Sequence, residues 1–201
     1  MNERKLTMDE RIMIFMERMS PFVKRDAVSW LESHGFFTAP ASTKYHGAYD
    51  GGLFDHSFEV AQTLWKLTKD NNLKWERPES PLIVGMFHDL CKIDQYIPRY
   101  EVEEEFELAP LDKQSSMRLT NTIVGYDYNP DTLLKGHGEK SVMLLSQLYA
   151  LTEEEVACIR YHMGAFTEKE EWRDYTRAVH VYPNVLWTHH ADMIASHVKG
   201  V

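Results

Sequence analysis

The chain carries ten histidines, at positions 34, 46, 56, 88, 137, 162, 180, 189, 190 and 197, against only two cysteines, Cys91 and Cys158. Imidazole serves as general acid, general base or metal ligand, so what matters is which of the ten converge. Five groups stand out. His56 lies one turn before Val60 on an apolar stripe that continues through Leu64 and Leu67, which points its ring inward. His88 and Asp89 end the most apolar run of the chain, which begins at Pro81. His137 shares a helical face with Ser141 and Leu148, His162 follows Cys158 and Ile159 by four and three residues, and Asp192 shares a stripe with Val185, His189, Ala195 and Ser196. Burying a carboxylate is costly unless it is paired or bound to a cation, and a buried imidazole needs a partner at both nitrogens. A divalent cation among these groups meets both demands. Each has an ordinary alternative: a single core-facing histidine is more often a hydrogen-bonded core residue than a ligand, and Asp192 alone could be an internal cap or half of an ion pair. The intervals between successive groups, 32, 49, 25 and 30 residues, suit one ligand per helix of a bundle but form no local signature.

The elements that must position these residues read as helices. Thr7 to Ser20 has helical spacing after a threonine or aspartate cap, and a second amphipathic segment runs from Pro21 to a stop at Gly35. Thr38 to Gly52, rich in small residues, is a loop, and a helix follows from about Asp55 to Lys69. The apolar run from Pro81 is strand or helix by period alone, and the helical surroundings favour helix. From Tyr96 to Pro130 the pattern breaks down, which predicts a short irregular insertion with one β-hairpin. Helix resumes over His137 to Leu151, Thr152 to His162 and Pro183 to Val198, the middle one opened by the capping sequence TEEE. The expectation is one all-α domain over residues 1–201, a bundle of six or seven helices, with N-terminal helices in residues 1–35.

Composition narrows the function classes. The chain has 201 residues, 43% hydrophobic and 26% charged, enough to bury a core without a structural metal or disulfides, so a metal would serve chemistry. Its 22 basic and 31 acidic side chains give a net charge of −9, which disfavours general nucleic-acid or anionic-membrane binding. No run approaches the roughly 20 apolar residues a bilayer span requires, and two distant cysteines suit a reducing cytoplasm.

In order, the residues are His56 in GGLFDHS, His88 and Asp89 in HDLCK, His137 in GHGEKS, His162 in YHMG and Asp192 in HHADMIAS. This series resembles the HD superfamily of metal-dependent phosphohydrolases, in the two-metal subset with two additional histidines. The resemblance covers about residues 43 to 198 and rests on the combination: GGLxxH ahead of the HD pair, a lysine three positions after its aspartate, and an AD pair near the end. The loop KYHGAYDGGLFDHS is also similar to the HD part of bacterial exoribonucleases that trim RNA from the 3′ end. Those carry an additional nucleic-acid-binding domain not present in these residues, and a second histidine where Met163 stands here, so their substrate is not carried over.

The resemblance implies an HD-type helical bundle whose metal-binding core is residues 43–198. It implies that His56, His88, Asp89 and Asp192 hold one divalent metal and that His137 and His162 hold a second, with Asp89 bridging. Imidazole-rich ligation suits a transition metal, manganese or iron first and nickel, cobalt or zinc next, as one or two ions. A metal-bridging hydroxide would then attack a phosphomonoester or phosphodiester, with a nucleotide or short oligonucleotide as the small phosphorylated substrate. Asp89 and Lys92 are the catalytic candidates, Lys92 by neutralising a phosphate oxygen. His46, Arg99, Lys135 and Lys140 are candidate substrate contacts, and Tyr96, Tyr126 and Tyr128 are candidates to stack on a base. His189 is placed to enter the pocket, His190 and His197 to pack, and Glu139 to hydrogen-bond a ligand imidazole. Two alternatives stay open: a di-iron oxygenase on the same ligands, and a non-catalytic module whose metal braces the helices.

Overall fold

Thr7 opens the first helix, α1 (Met8–Met19), with a reciprocal cap: its hydroxyl accepts from the Glu10 amide at 3.3 Å while the Glu10 carboxylate accepts from the Thr7 amide at 2.8 Å. The computed structural model describes residues 5–107 and 116–201, with side chains described outside residues 103–119. The amides of Phe22 and Val23 both return to the Met19 carbonyl, so the chain turns here and α2 (Arg25–Ser33) starts later than Pro21 suggests. Phe15 of α1 and Phe36 and Phe37 beyond α2 meet Phe54 of α3 (Gly52–Asp70) and Phe87 of α4 (Ser80–Phe87), with ring centroids 5.3 to 6.3 Å apart. Edge-on pairs of this kind add about 0.5–1.5 kcal/mol each beyond area burial. The N-terminal helices therefore belong to the same hydrophobic core as the helices that follow.

The apolar run from Pro81 is helix, buried on nearly every side. It crosses α3 at unusually close range. A Cβ at Gly85 would lie 2.4 Å from the Ala61 Cα, so only glycine allows this approach, which brings His56 on α3 and His88 at the end of α4 together. A 3₁₀ turn, Leu90–Asp94, leads into the ribbon. The insertion expected over Tyr96 to Pro130 is a two-stranded hairpin, more regular than anticipated. The strands β1 (Tyr96–Glu107) and β2 (Ser116–Tyr128) pair antiparallel, Tyr96 opposite Tyr128, with a bulge at Val124 facing Arg99 and Tyr100. Ile97 on one face and Tyr100 and Val102 on the other are exposed, so neither face of the ribbon is sealed against a core among the described residues.

The remaining helices are α5 (Gly138–Leu145), α6 (Glu153–Arg160), α7 (Trp172–Val181) and α8 (Asn184–Met193), making eight α-helices among the described residues. α5 is shorter than expected because the Ser146 hydroxyl folds back on the Val142 carbonyl and the chain turns, and α7 was not anticipated. The TEEE sequence does more than cap α6. Glu155, fully buried, accepts from the Thr152 amide and the Ser80 hydroxyl, both at 2.8 Å, while Glu154 accepts from Asn184 and the Glu76 amide at 2.8 Å. These bonds clamp α6 to the starts of α4 and α8. Gly138 presses on the carbonyl of Arg160, at 2.2 Å from the position of a Cβ, and so sets His137 beside His162. No helix among the described residues is long and apolar enough to cross a membrane.

Candidate metal centre

Each of the five groups singled out in the sequence reaches one place. His56 projects from the first turns of α3, fully buried; His88 and Asp89 follow the end of α4; His137 caps the start of α5; His162 lies just past α6; Asp192 is near the end of α8. His56 Nε2 is 3.3 Å from His88 Nε2, 3.2 Å from Asp192 Oδ1 and 3.6 Å from Asp89 Oδ2, and His88 Nε2 is 3.5 Å from Asp89 Oδ2 and 3.9 Å from Asp192 Oδ1. Donors about 2.1 Å from a common cation at tetrahedral angles are about 3.4 Å apart, so this set has the spacing of a coordination shell. On the other carboxylate oxygen, Asp89 Oδ1 is 3.0 Å from His137 Nε2 and 3.5 Å from His162 Nε2. Asp89 thus divides its oxygens between two donor groups.

The opposite ring nitrogens settle the tautomers. His88 Nδ1 donates to the Gly85 carbonyl at 2.8 Å, His162 Nδ1 to the Ile159 carbonyl at 2.7 Å and His56 Nδ1 to the main-chain oxygen of Val201 at 2.9 Å. A carbonyl only accepts, so Nδ1 carries the hydrogen and Nε2 presents a lone pair to the centre, the arrangement of a metal-binding imidazole. His137 differs, with the Cys91 sulfur 3.4 Å from its Nδ1. His162 Nε2 is buried without a hydrogen-bond partner among the described residues, and Asp89 Oδ1 has none beyond its 3.0 Å ion-pair contact with His137 Nε2. Leaving such atoms unmatched costs roughly 1–3 kcal/mol each, and a cation between them removes that cost. Three groupings of these side chains have the proximity to hold a metal ion: His56, His88 and Asp192; His88, Asp89 and His162; and Asp89, Cys91 and His137.

In the metal-free chain the imidazoles differ in charge: against its burial, Cys91 and Asp89 hold His137 up at about 10, so it carries a proton that a bound metal would displace. Burial pushes His88 down to about 3, so it is neutral and free to bind through its lone pair. Burial works against charge on Asp89, but Lys92 and His137 outweigh it and hold the carboxyl well below its usual range; Asp192 is likewise lowered, against its burial, by His56. Lys92 stays charged: Asp89 more than offsets the penalty of burying the ammonium. In a 3₁₀ turn residues three apart eclipse, which stacks Lys92 Nζ on Asp89 Oδ2 at 2.7 Å.

Above the centre is an open cleft of about 370 Å³, walled by Lys92, His46, Tyr96, Tyr128, His189 and His197 among others. His46, its ring centroid 5.0 Å from that of His56, is pushed down to about 4 by burial and by His56 and Lys92, so it faces the cleft as a neutral group. His189 lines the rim, its Nδ1 donating to the His162 carbonyl at 2.8 Å. Several expectations need correction. Arg99 is held on the ribbon by Asp127 at 2.9 Å and does not line the cleft. Lys140 is buried against Asp94, and with the exposed Lys135 it lines a neighbouring cavity of about 320 Å³ that shares Gln95 and Tyr128 with the first. Tyr126 is buried away from the cleft, Glu139 pairs with Arg160 instead of a ligand imidazole, and His190 is exposed beside Trp187. His197 lines the cleft because α8 widens into a π-helix over Ile194–Lys199, which shifts its side chains out of the 3.6-residue register. Sequence reasoning missed Cys91 and Val201: Cys91 stands two residues after Asp89, but Val201 acts through a main-chain oxygen that no residue type announces. Compared with family models, with curated proteins and with solved structures, the chain has no significant match in any of the three.

Proposed function

We propose that this chain is a metal-dependent phosphohydrolase of the HD type that cleaves a phosphoester of a nucleotide or short oligonucleotide. The observation that carries the reading is the buried Asp89 carboxylate, whose two oxygens face separate imidazole sets while His162 Nε2, 3.5 Å from one of them, stays unpartnered. His56, His88, Asp89 and Asp192 would hold one transition-metal ion, manganese or iron, and His137 and His162 a second shared through Asp89. When bound, such ions lower the pKa of a coordinated water and offset negative charge on a phosphoryl group.

The chain's own groups supply the rest. Lys92 has three donor hydrogens; one is spent on Asp89, and the others serve an anionic oxygen in the cleft that Lys92 lines. Neutral His46 offers a hydrogen bond without adding repulsive charge to the centre. Tyr96 and Tyr128, with centroids 5.4 Å apart at the foot of the ribbon, form an aromatic wall suited to a base. A cleft near the lower end of the roughly 300–1,000 Å³ range of small-ligand sites suits one nucleotide unit better than a folded nucleic acid, in keeping with the acidic net charge.

Elemental analysis of purified protein and a nucleotide screen with Mn²⁺ test the reading. The expected results are one to two transition-metal ions per chain and hydrolysis that Asp192→Asn abolishes with the helical circular dichroism retained. Chelation should leave a folded apoprotein. Hydrolysis that survives Asp192→Asn overturns the proposal, as does oxygen uptake with iron but not manganese, or an apoprotein that unfolds on chelation.

A further inference from the structure

The last helical segment serves the centre twice. Asp192 gives Oδ1 to the first donor set, and nine residues later the main-chain oxygen of Val201 takes the Nδ1 hydrogen of His56. Within the proposed donor set, the other two imidazoles with carbonyl partners find them nearby: His88 and His162 sit at or just beyond helix ends and use the carbonyls of Gly85 and Ile159, three residues upstream. Carbonyls in the last turn of a helix lack intrahelical partners and are free to accept. His56 has no such neighbour. It is the fifth residue of the nineteen-residue α3, where the adjacent carbonyls are engaged in the helix itself, so its acceptor must come from elsewhere in the chain.

Residues 194–201 deliver that acceptor. After Asp192 the backbone becomes π-helical, then turns left-handed at Gly200 with φ +78°, and the Val201 amide returns to the Ala195 carbonyl at 3.2 Å. Lys199 fastens the segment to α3 by an ion pair to Glu59 and a 3.2 Å hydrogen bond to the Thr63 hydroxyl. Glu59 and Thr63 lie three and seven residues after His56, on its face of α3.

We propose that residues 194–201 are a latch that fixes the Nδ1–H tautomer of His56, so that the first metal site assembles at full affinity only when this segment is seated on α3. Val201 is then a positioning residue acting through its main chain, and Gly200 is the hinge that aims it. The inference rests on the metal-centre reading for its effect on affinity, but its structural half concerns the metal-free chain alone.

The test uses the full chain and Gly200→Val. A Cβ at Gly200 meets nothing within 4 Å, so the substitution acts only through the backbone, which a β-branched residue resists at positive φ. Gly200→Asn, which tolerates a left-handed conformation, and Val201→Ala, which keeps the main-chain oxygen, are the controls. Two quantities are measured: Co²⁺ affinity from visible absorption, and the His56 tautomer in metal-free protein from ring ¹⁵N shifts. Wild type and both controls should bind alike and show Nδ1–H on His56. Gly200→Val should bind about 10–100-fold more weakly and show mixed tautomers, and Lys199→Met should shift both readouts in the same direction. A Gly200→Val protein with wild-type affinity and a pure Nδ1–H tautomer overturns the latch. If wild type binds no Co²⁺, the metal reading fails, while the tautomer in metal-free protein still decides the latch.

Discussion

Gly85→Ala tests whether the crossing of two helices sets the geometry of the centre. A Cβ at this position lies 2.4 Å from the Ala61 Cα and 2.7 Å from its amide nitrogen, both backbone atoms of a buried helix that cannot rotate aside. Ordinary contact begins near 3.4 Å, so α3 and α4 must separate by about 1 Å at this point (3.4 − 2.4). Overpacking of this kind costs roughly 1–3 kcal/mol. The same movement carries His88, three residues on, away from His56 Nε2 at 3.3 Å and Asp192 Oδ1 at 3.9 Å, a set whose spacing tolerates little change. A misplacement of ~1 Å at a preorganised site costs on the order of 100-fold. The expected variant is therefore folded, less stable by a few kcal/mol in urea, and weaker for Co²⁺ by a factor disproportionate to that loss. Wild-type stability together with wild-type affinity would refute the claim that this contact sets the donor spacing.

Asp89→Asn in chelated protein leaves the buried Lys92 ammonium without its partner at 2.7 Å, which should cost about 3–5 kcal/mol. Adding Lys92→Met should return most of that stability while metal binding stays absent, and urea unfolding of the single and double variants checks both; a single variant within about 1 kcal/mol of wild type contradicts the buried pair. Glu155→Ala removes the acceptor of the Thr152 amide and the Ser80 hydroxyl at the far end of α6 from His162, so a loss of about 3 kcal/mol and a Tm lower by about 6–12 °C are expected with Co²⁺ affinity nearly unchanged. An unaltered Tm in a calorimetric scan would show that the clamp contributes nothing.

The residues that meet at the centre were legible in the sequence because helical periodicity is local. The stripe of His56, Val60 and Leu64 turns the imidazole inward whatever it packs against, and Thr7 with Glu10 and Thr152 with Glu155 announce helix starts within four residues. Apolar content likewise marked the Pro81 segment as buried, though only its helical surroundings argued against a strand. The break in helical pattern over Tyr96 to Pro130 marked the ribbon, whereas α7 was missed although it is amphipathic.

What the amino-acid order determined is the inventory: which side chains are inward, which helices carry them, and that a carboxylate and several imidazoles would be buried without enough partners. Tertiary structure alone decided their spacing. The 2.4 Å approach at Gly85, the π-helical register that turns His197 into the cleft, the Cys91 sulfur on His137 and the Val201 oxygen on His56 all depend on contacts between segments far apart in the chain or on main-chain atoms. Main-chain carbonyls are chemically the same at every residue, so nothing in a side-chain alphabet identifies which one will orient a ligand until the fold brings the two together.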